Sequence, residues 1–201
     1  MKKFKLQTNR GMTYVELIVV LSIFSVMSAV VMYNYGAFQG KVDIKNLAND
    51  LALKMVQAQR DASYGKFPSL AQQGSIAPTW KPAYGIYFDL PVDNKSFYYF
   101  SDLNNDKLYQ GTNCTGECVE KISITKNNII SLLRVVYQDG SSSTPTKMTV
   151  SFTRPNLNSE VVVDAGTTPL ANVSYVEIST TSPKGNIAKI LIYASGRIQI
   201  N

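Results

Sequence analysis

The sequence predicts an α+β protein: a long N-terminal helical spine, transmembrane and then amphipathic, packed on an antiparallel β-sheet domain. Three observations predict it. Leu17 to Gly40 carries no formal charge. Its apolar part, Leu17 to Tyr35, approaches the roughly 20 residues that a helix needs to span a bilayer. Next, Ile44, Leu47, Ala48, Leu51, Met55, Ala58 and Ala62 recur at spacings of three and four, one apolar stripe on a helix. After residue 83, short runs rich in β-branched and aromatic residues alternate with turn signals, the pattern of an antiparallel sheet system.

The first segment contains a misplaced-looking residue. "RGMTYVELIVVLSIFSVM" is apolar or small after Gly11 except for Glu16. An acidic residue at the centre of a membrane helix costs roughly 2.5–3.5 kcal/mol on insertion scales. Ser22, Ser25 and Ser28 recur every three residues, a spacing that suits close helix–helix packing. A signal peptide places its apolar region before the cleavage site. Here a short basic leader and a glycine precede the apolar helix, so a cut after Gly11 would remove the charges and keep the helix.

From residue 41 the stripe continues the helix, with Asp43, Lys45, Asn49, Asp50 and Lys54 mostly on the other side. Gly36 and Gly40 are the weak points, where a bend is expected. The helix is expected to stop near Gly65, with Pro68 beyond it. Residues 66–83, "KFPSLAQQGSIAPTWKPA", carry three prolines and no period, and read as a loop. The expected strands are Tyr84–Phe88, Ser96–Ser101, Glu120–Thr125, Ile130–Tyr137, Lys147–Thr153, Glu160–Asp164, Val173–Thr180, Ala188–Tyr193 and Arg197–Ile200. Met148, Val150 and Phe152 alternate with polar partners, as in a half-buried strand. "DGSSSTP", "SPKGN" and "SGR" read as turns.

The composition narrows function. The chain has 201 residues, enough for one domain with a sizeable core and an extra element. Its net charge of +6 is concentrated at the start, in Lys2, Lys3, Lys5 and Arg10. Without those four, 16 basic residues face 14 acidic ones, so the body is nearly neutral. There is no histidine, which removes Ser-His-Asp, Cys-His and His-metal chemistry. The two cysteines are too few for a structural zinc site.

The leader carries a resemblance. Basic residues, Gly11, a hydrophobic start at Met12 and a glutamate fifth after the glycine resemble the class III signal of type IV prepilins and pseudopilins. Most members have Phe where this chain has Met12. The resemblance implies cleavage after Gly11 by prepilin peptidase and N-methylation of Met12. It also implies an assembly role for Glu16, whose carboxylate would meet the N-terminal amine of a neighbouring subunit. Within the family, "LANDLALKMVQAQRDAS", "MTVSFTRPN" and the closing "GNIAKILIYASGRIQI" look most like the GspH/FimT-type minor pseudopilins. That implies a cleaved leader at 1–11, a transmembrane and filament-core helix at 12–40, the amphipathic half of the spine at 41–65 and an exported β-rich domain at 66–201. The implied partners are other pilin subunits, prepilin peptidase and an inner-membrane assembly platform. The basic leader places the N-terminus in the cytoplasm.

Three candidate sites lie in the body. Asp102, Asn104 and Asp106 stand at alternate positions, as in the first half of a calcium loop, with the carbonyl of Leu108 as the next ligand. Lys107 occupies the place of the turn glycine and Asn113 that of the bidentate Glu, so an Asx-rich turn competes with calcium. Cys114 and Cys118 are expected to form a disulfide in an exported domain, with a redox pair as the sharper alternative. Lys184, Lys189 and Arg197 fall close together in the last segment. They read as a solvated face, or as a DNA contact of the kind some FimT-type minor pilins make in natural transformation. No catalytic constellation is found, so the expectation is a structural protein of a type II secretion or type IV pilus machine. A DNA-receptor pilin is the rival reading.

Overall fold

A computed structural model describes residues 11–201 apart from 112, 156 and 165, and only the backbone of residue 37. Lys2, Lys3, Lys5 and Arg10 lie outside the described residues. The chain divides into two compact units, one ending at Gln39 and the other Gly40–Asn201. Helix α1 (Tyr14–Ser63) contributes to both, and its assignment is unbroken through Gly36 and Gly40.

In the first unit, α1 is long and apolar enough to cross a membrane, and the apolar window that meets this test has no buried residues. Its polar side chains turn back onto their own helix. Ser22 Oγ donates to the Val19 carbonyl at 2.8 Å, Ser25 Oγ to Leu21 at 2.8 Å and Asn34 Nδ2 to Val30 at 3.1 Å. Satisfied in this way, they suit a medium that offers no hydrogen bonds.

In the second unit the stripe predicted from spacing is the buried face. Ile44, Ala48, Leu51, Met55, Ala58 and Ala62 are at most 2 % exposed. The helix ends at Ser63, two residues before Gly65, which sits at φ +66°, in the left-handed region that favours glycine. Its last turn is tied to the sheet. Tyr99 Oη and Lys66 Nζ each donate to Asp61 Oδ2 at 2.7 Å. Burial pushes the Asp61 carboxyl up, but these bonds outweigh it and hold the pKa below the usual value.

Two five-stranded antiparallel sheets complete the unit. The first contains β1 (Ala83–Asp89), β2 (Asp93–Ser101), β3 (Cys118–Ser123), β6 (Lys147–Thr153) and β7 (Ser159–Val163), in the order β3-β2-β1-β6-β7. The second contains β4 (Ile129–Tyr137), β5 (Ser142–Ser143), β8 (Val173–Thr181), β9 (Ile187–Tyr193) and β10 (Ile198–Ile200), in the order β10-β9-β8-β4-β5. One hydrophobic cluster joins the α1 stripe to Tyr84, Ile86, Phe88, Phe97, Tyr99 and Val150 of the first sheet. Leu133, Val135, Val176, Ile178, Ile190 and Ile192 of the second belong to the same cluster.

Every expected strand is present, with ends shifted by up to three residues. Three expectations are corrected. The loop at 66–83 contains a one-turn helix, α2 (Leu70–Gln73), capped by Ser69. The "DGSSSTP" turn contains β5, a two-residue strand paired with Val135 and Val136. Strand β6 is buried on both faces, not one: Thr149 is 2 % exposed and Ser151 0 %. On its second face Ser151 Oγ donates to the Glu160 carbonyl, and Lys107, from the segment between β2 and β3, donates to Thr153 Oγ1.

Candidate functional site

Three places combine chemistry-bearing residues, and the first is the start of α1. Gly11 is exposed with open space around it, and Met12 is exposed. Glu16 lies in the first helical turn and is also exposed. Its backbone N–H donates to Thr13 Oγ1 at 3.3 Å. Thr13 is thus the residue that caps α1, and Glu16 stands three residues on, the Thr-x-x-Glu spacing of a capping box. That pattern is visible in "TYVE", at the head of the apolar run. The carboxylate has a local role: a negative charge in the first turn offsets the positive end of the helix dipole.

The second place is the segment between β2 and β3. Asn104 Oδ1 accepts from the Asp106 N–H at 3.1 Å, and Asp106 Oδ1 from the Leu108 N–H at 2.9 Å. Asp102 Oδ2 accepts from the Lys107 N–H at 3.0 Å. Gln110 Nε2 also donates to Asp106. These are Asx-type turns, in which each side chain bonds backbone a few residues on. Among the described residues no three His, Cys, Asp or Glu side chains are grouped to hold a metal ion.

Glu117, which the sequence pattern does not single out, closes the segment from the far side. Its Oε1 accepts from the Leu103 N–H at 2.9 Å and its Oε2 from the Gln110 N–H at 2.8 Å. Burial pushes its carboxyl up to about 7, against the pull of those two N–H groups, and the Asp102 and Asp106 carboxylates add to the rise. Burial also raises Asp102, which is fully enclosed. Cys114 and Cys118 are bridged, with their Cα atoms 4.8 Å apart. Gln72 of α2, another residue the sequence did not single out, donates to the carbonyls of Gly116 and Cys118 at 3.0 and 3.1 Å.

What the closed segment carries is Tyr109. Its ring lies 4.9 Å from Tyr87, 5.3 Å from Tyr98 and 5.6 Å from Phe100. The segment is a plug on the outer face of the first sheet. Gly85 leaves room for the Phe100 ring on which Tyr109 packs, since a Cβ there would lie 2.6 Å from the Val150 carbonyl and 2.8 Å from that ring.

The third place is the closing region, where the predicted basic residues separate. Lys184 sits in the β8–β9 turn, and Arg197 precedes β10 in the next turn. These turns are at opposite ends of β9, about 20 Å apart at roughly 3.3 Å per residue. Lys189, within β9, is paired with Glu177 Oε1 at 2.9 Å. The Arg197 guanidinium lies 3.9 Å above the Tyr193 ring. Closeness in sequence does not become a cluster, because the strand between them is extended.

Comparisons with protein-family models, with curated proteins and with solved structures find no match.

Proposed function

We propose that this chain is a structural, non-enzymatic subunit of the pilin and pseudopilin kind. It assembles through its N-terminal helix into a type II secretion pseudopilus or a type IV pilus. Prepilin peptidase cuts after Gly11, and Met12 becomes the methylated N-terminus. The precursor sits in the inner membrane with its N-terminus cytoplasmic and its β-rich body exported. Other pilin subunits and an assembly platform are its partners.

One observation carries this reading. Within a single helix, the part before Gln39 exposes Leu17, Leu21, Phe24, Met27 and Val31, while the part after Gly40 buries its own stripe. An all-round apolar helix needs lipid or other helices around it. The loop at 102–118 serves the body as a plug and calls for no ion in this reading, although Asp102, Asn104, Asp106 and the Leu108 carbonyl were its calcium candidates. The DNA-binding alternative has weaker support, since Lys189 and Arg197 are each engaged by a neighbour.

The test is Gly11→Val in a cell that carries the peptidase. The unprocessed chain accumulates in the membrane and does not enter filaments. A mature chain that begins elsewhere by intact mass, or a wild-type chain never cut, overturns the assignment.

A further inference from the structure

A half-open cleft of about 630 Å³ lies in the exported unit, beside the residues that lead into β1 and those that follow β6. Lys81, Lys107 and Arg154 line it, with Asn105, Thr153 and Glu160. The cations are not equivalent. Lys107 Nζ donates to Thr153 Oγ1 at 2.6 Å and lies 3.4 Å from Glu160 and 3.9 Å from Asp102. Its charge is balanced inside the wall. Lys81 and Arg154 are exposed, and among the described residues neither has a carboxylate within ion-pairing distance.

The wall is built rather than incidental. Asn105 and Lys107 hold φ at +64° and +68°, a region that residues other than glycine seldom adopt. Asn105 is locked there by both ends of its amide: Oδ1 accepts from the Lys81 N–H and Nδ2 donates to the Thr79 carbonyl, each at 3.2 Å. An aromatic pair lies outside the cleft's own lining. Trp80 sits between Thr79 and Lys81 in the chain, and its ring is 5.6 Å from Phe67, which is 68 % exposed. A Cβ on Gly65 would be 3.3 Å from Arg154 Nη1, so the segment carrying Phe67 borders the cleft.

We propose that this cleft docks an acidic segment of a partner protein. Arg154 and Lys81 take one carboxylate, and an adjoining apolar side chain of the segment lies against Phe67 and Trp80. A guanidinium fork matches a carboxylate with two parallel hydrogen bonds, and the lysine adds a point charge. Exposed aromatic surface next to that pair gains by being covered. Nucleic acid is the poorer fit. Strong salt-dependent binding to a phosphate backbone takes about 6–10 phosphate contacts, against two free cations here on a nearly neutral body. The proposal does not depend on the assembly reading.

The experiment uses the full chain in detergent and a random twelve-residue peptide library displayed on phage. Selected peptides should carry Asp or Glu next to an aromatic or aliphatic residue. Binding should fall about ten- to hundredfold in the double variant Lys81→Gln/Arg154→Gln, at an unchanged melting temperature. Replacing the acidic residue of a selected peptide by its amide should weaken binding to the wild-type chain by a similar factor, a measurement that needs no folded variant. Phe67→Ala should weaken it less. The proposal is overturned by peptides without acidic residues, by no enrichment at all, or by binding indifferent to Lys81 and Arg154. It is equally overturned if a twelve-residue oligothymidylate binds through the same two cations while no peptide does.

Discussion

The two parts of α1 both carry large apolar side chains, but the earlier is uncharged from Leu17 on, the later sets charges opposite its stripe, and their fates are opposite. Before Gln39, Phe24, Val26 and Met27 are 67, 65 and 65 % exposed; after Gly40, Leu51 and Met55 are fully buried. The later part finds its partners within its own unit, in the inner faces of two sheets. The earlier part has apolar residues on every face, which no single sheet could cover. The difference teaches that one continuous helix can carry two burial patterns. Polar residues follow the same division: Ser22, Ser25 and Asn34 bond their own helix, whereas Asp61 reaches across to Tyr99 of the sheet.

The widest expected contrast comes from truncating one side chain in each part. Met55→Ala opens a cavity in the core and should cost about 2–5 kcal/mol of unfolding free energy. Phe24→Ala should leave the melting of the second unit unchanged, yet lower incorporation into filaments if the assembly proposal holds. Equal effects of the two on thermal unfolding would erase the contrast.

The disulfide tests how far the plug on the first sheet stabilises the second unit. Cys114→Ser with Cys118→Ser should cost about 2 kcal/mol, the value expected for so short a closed loop. Alkylation of the exported, non-reduced chain should find no free thiol. Two labelled thiols would return the redox reading.

The smallest effect is a pH dependence confined to the second unit. The Glu117 pKa is about 7 folded, against an ordinary value of 4.5. The stability associated with its protonated form is therefore full below about 4.5 and is lost as pH rises through about 7. Asp102, also raised, acts in the same direction. Asp61, Asp93, Asp164 and Glu177, all lowered, act oppositely, and their contribution is lost only in acid. Melting temperature should thus fall between about pH 5 and pH 8 in the wild type. Glu117→Gln should be less stable throughout, since its amide nitrogen faces an N–H, and should show a flatter profile over that range. A profile as steep as that of the wild type would assign the dependence elsewhere.

What the sequence made legible follows from periodicity. The α1 stripe stands at helical spacing, and each residue named for it is buried. The strands stand between turn signals and fall where those signals place them. What it hid depends on contacts between distant segments. Nothing in "KMTVSFT" tells that the polar face of β6 will be buried, with Lys107 of a distant segment donating to Thr153. Asp102, Asn104 and Asp106 carry the spacing of a calcium loop, but their partners are the N–H groups of Lys107, Asp106 and Leu108. The cleft at Lys81 and Arg154 joins residues more than seventy positions apart, which no local pattern announces. The cap at Thr13 is different. It is legible in the four residues "TYVE", because a cap is a local pattern.

The two roles of Glu16 set the decisive measurement. As an N3 residue, Glu16 can be replaced by Gln, which serves a capping box as well as Glu does. As the partner of a neighbour's N-terminal amine, it cannot, because the charge is gone. Glu16→Gln and Glu16→Ala should be compared with wild type in the same cells, for cleavage after Gly11 and for filament incorporation. The account predicts normal cleavage in both variants and loss of incorporation in both, since removing one partner of a buried ion pair costs about 3–5 kcal/mol. Wild-type incorporation of Glu16→Gln, with failure of Glu16→Ala alone, would reduce Glu16 to a helix cap and contradict the pairing that the assembly reading requires.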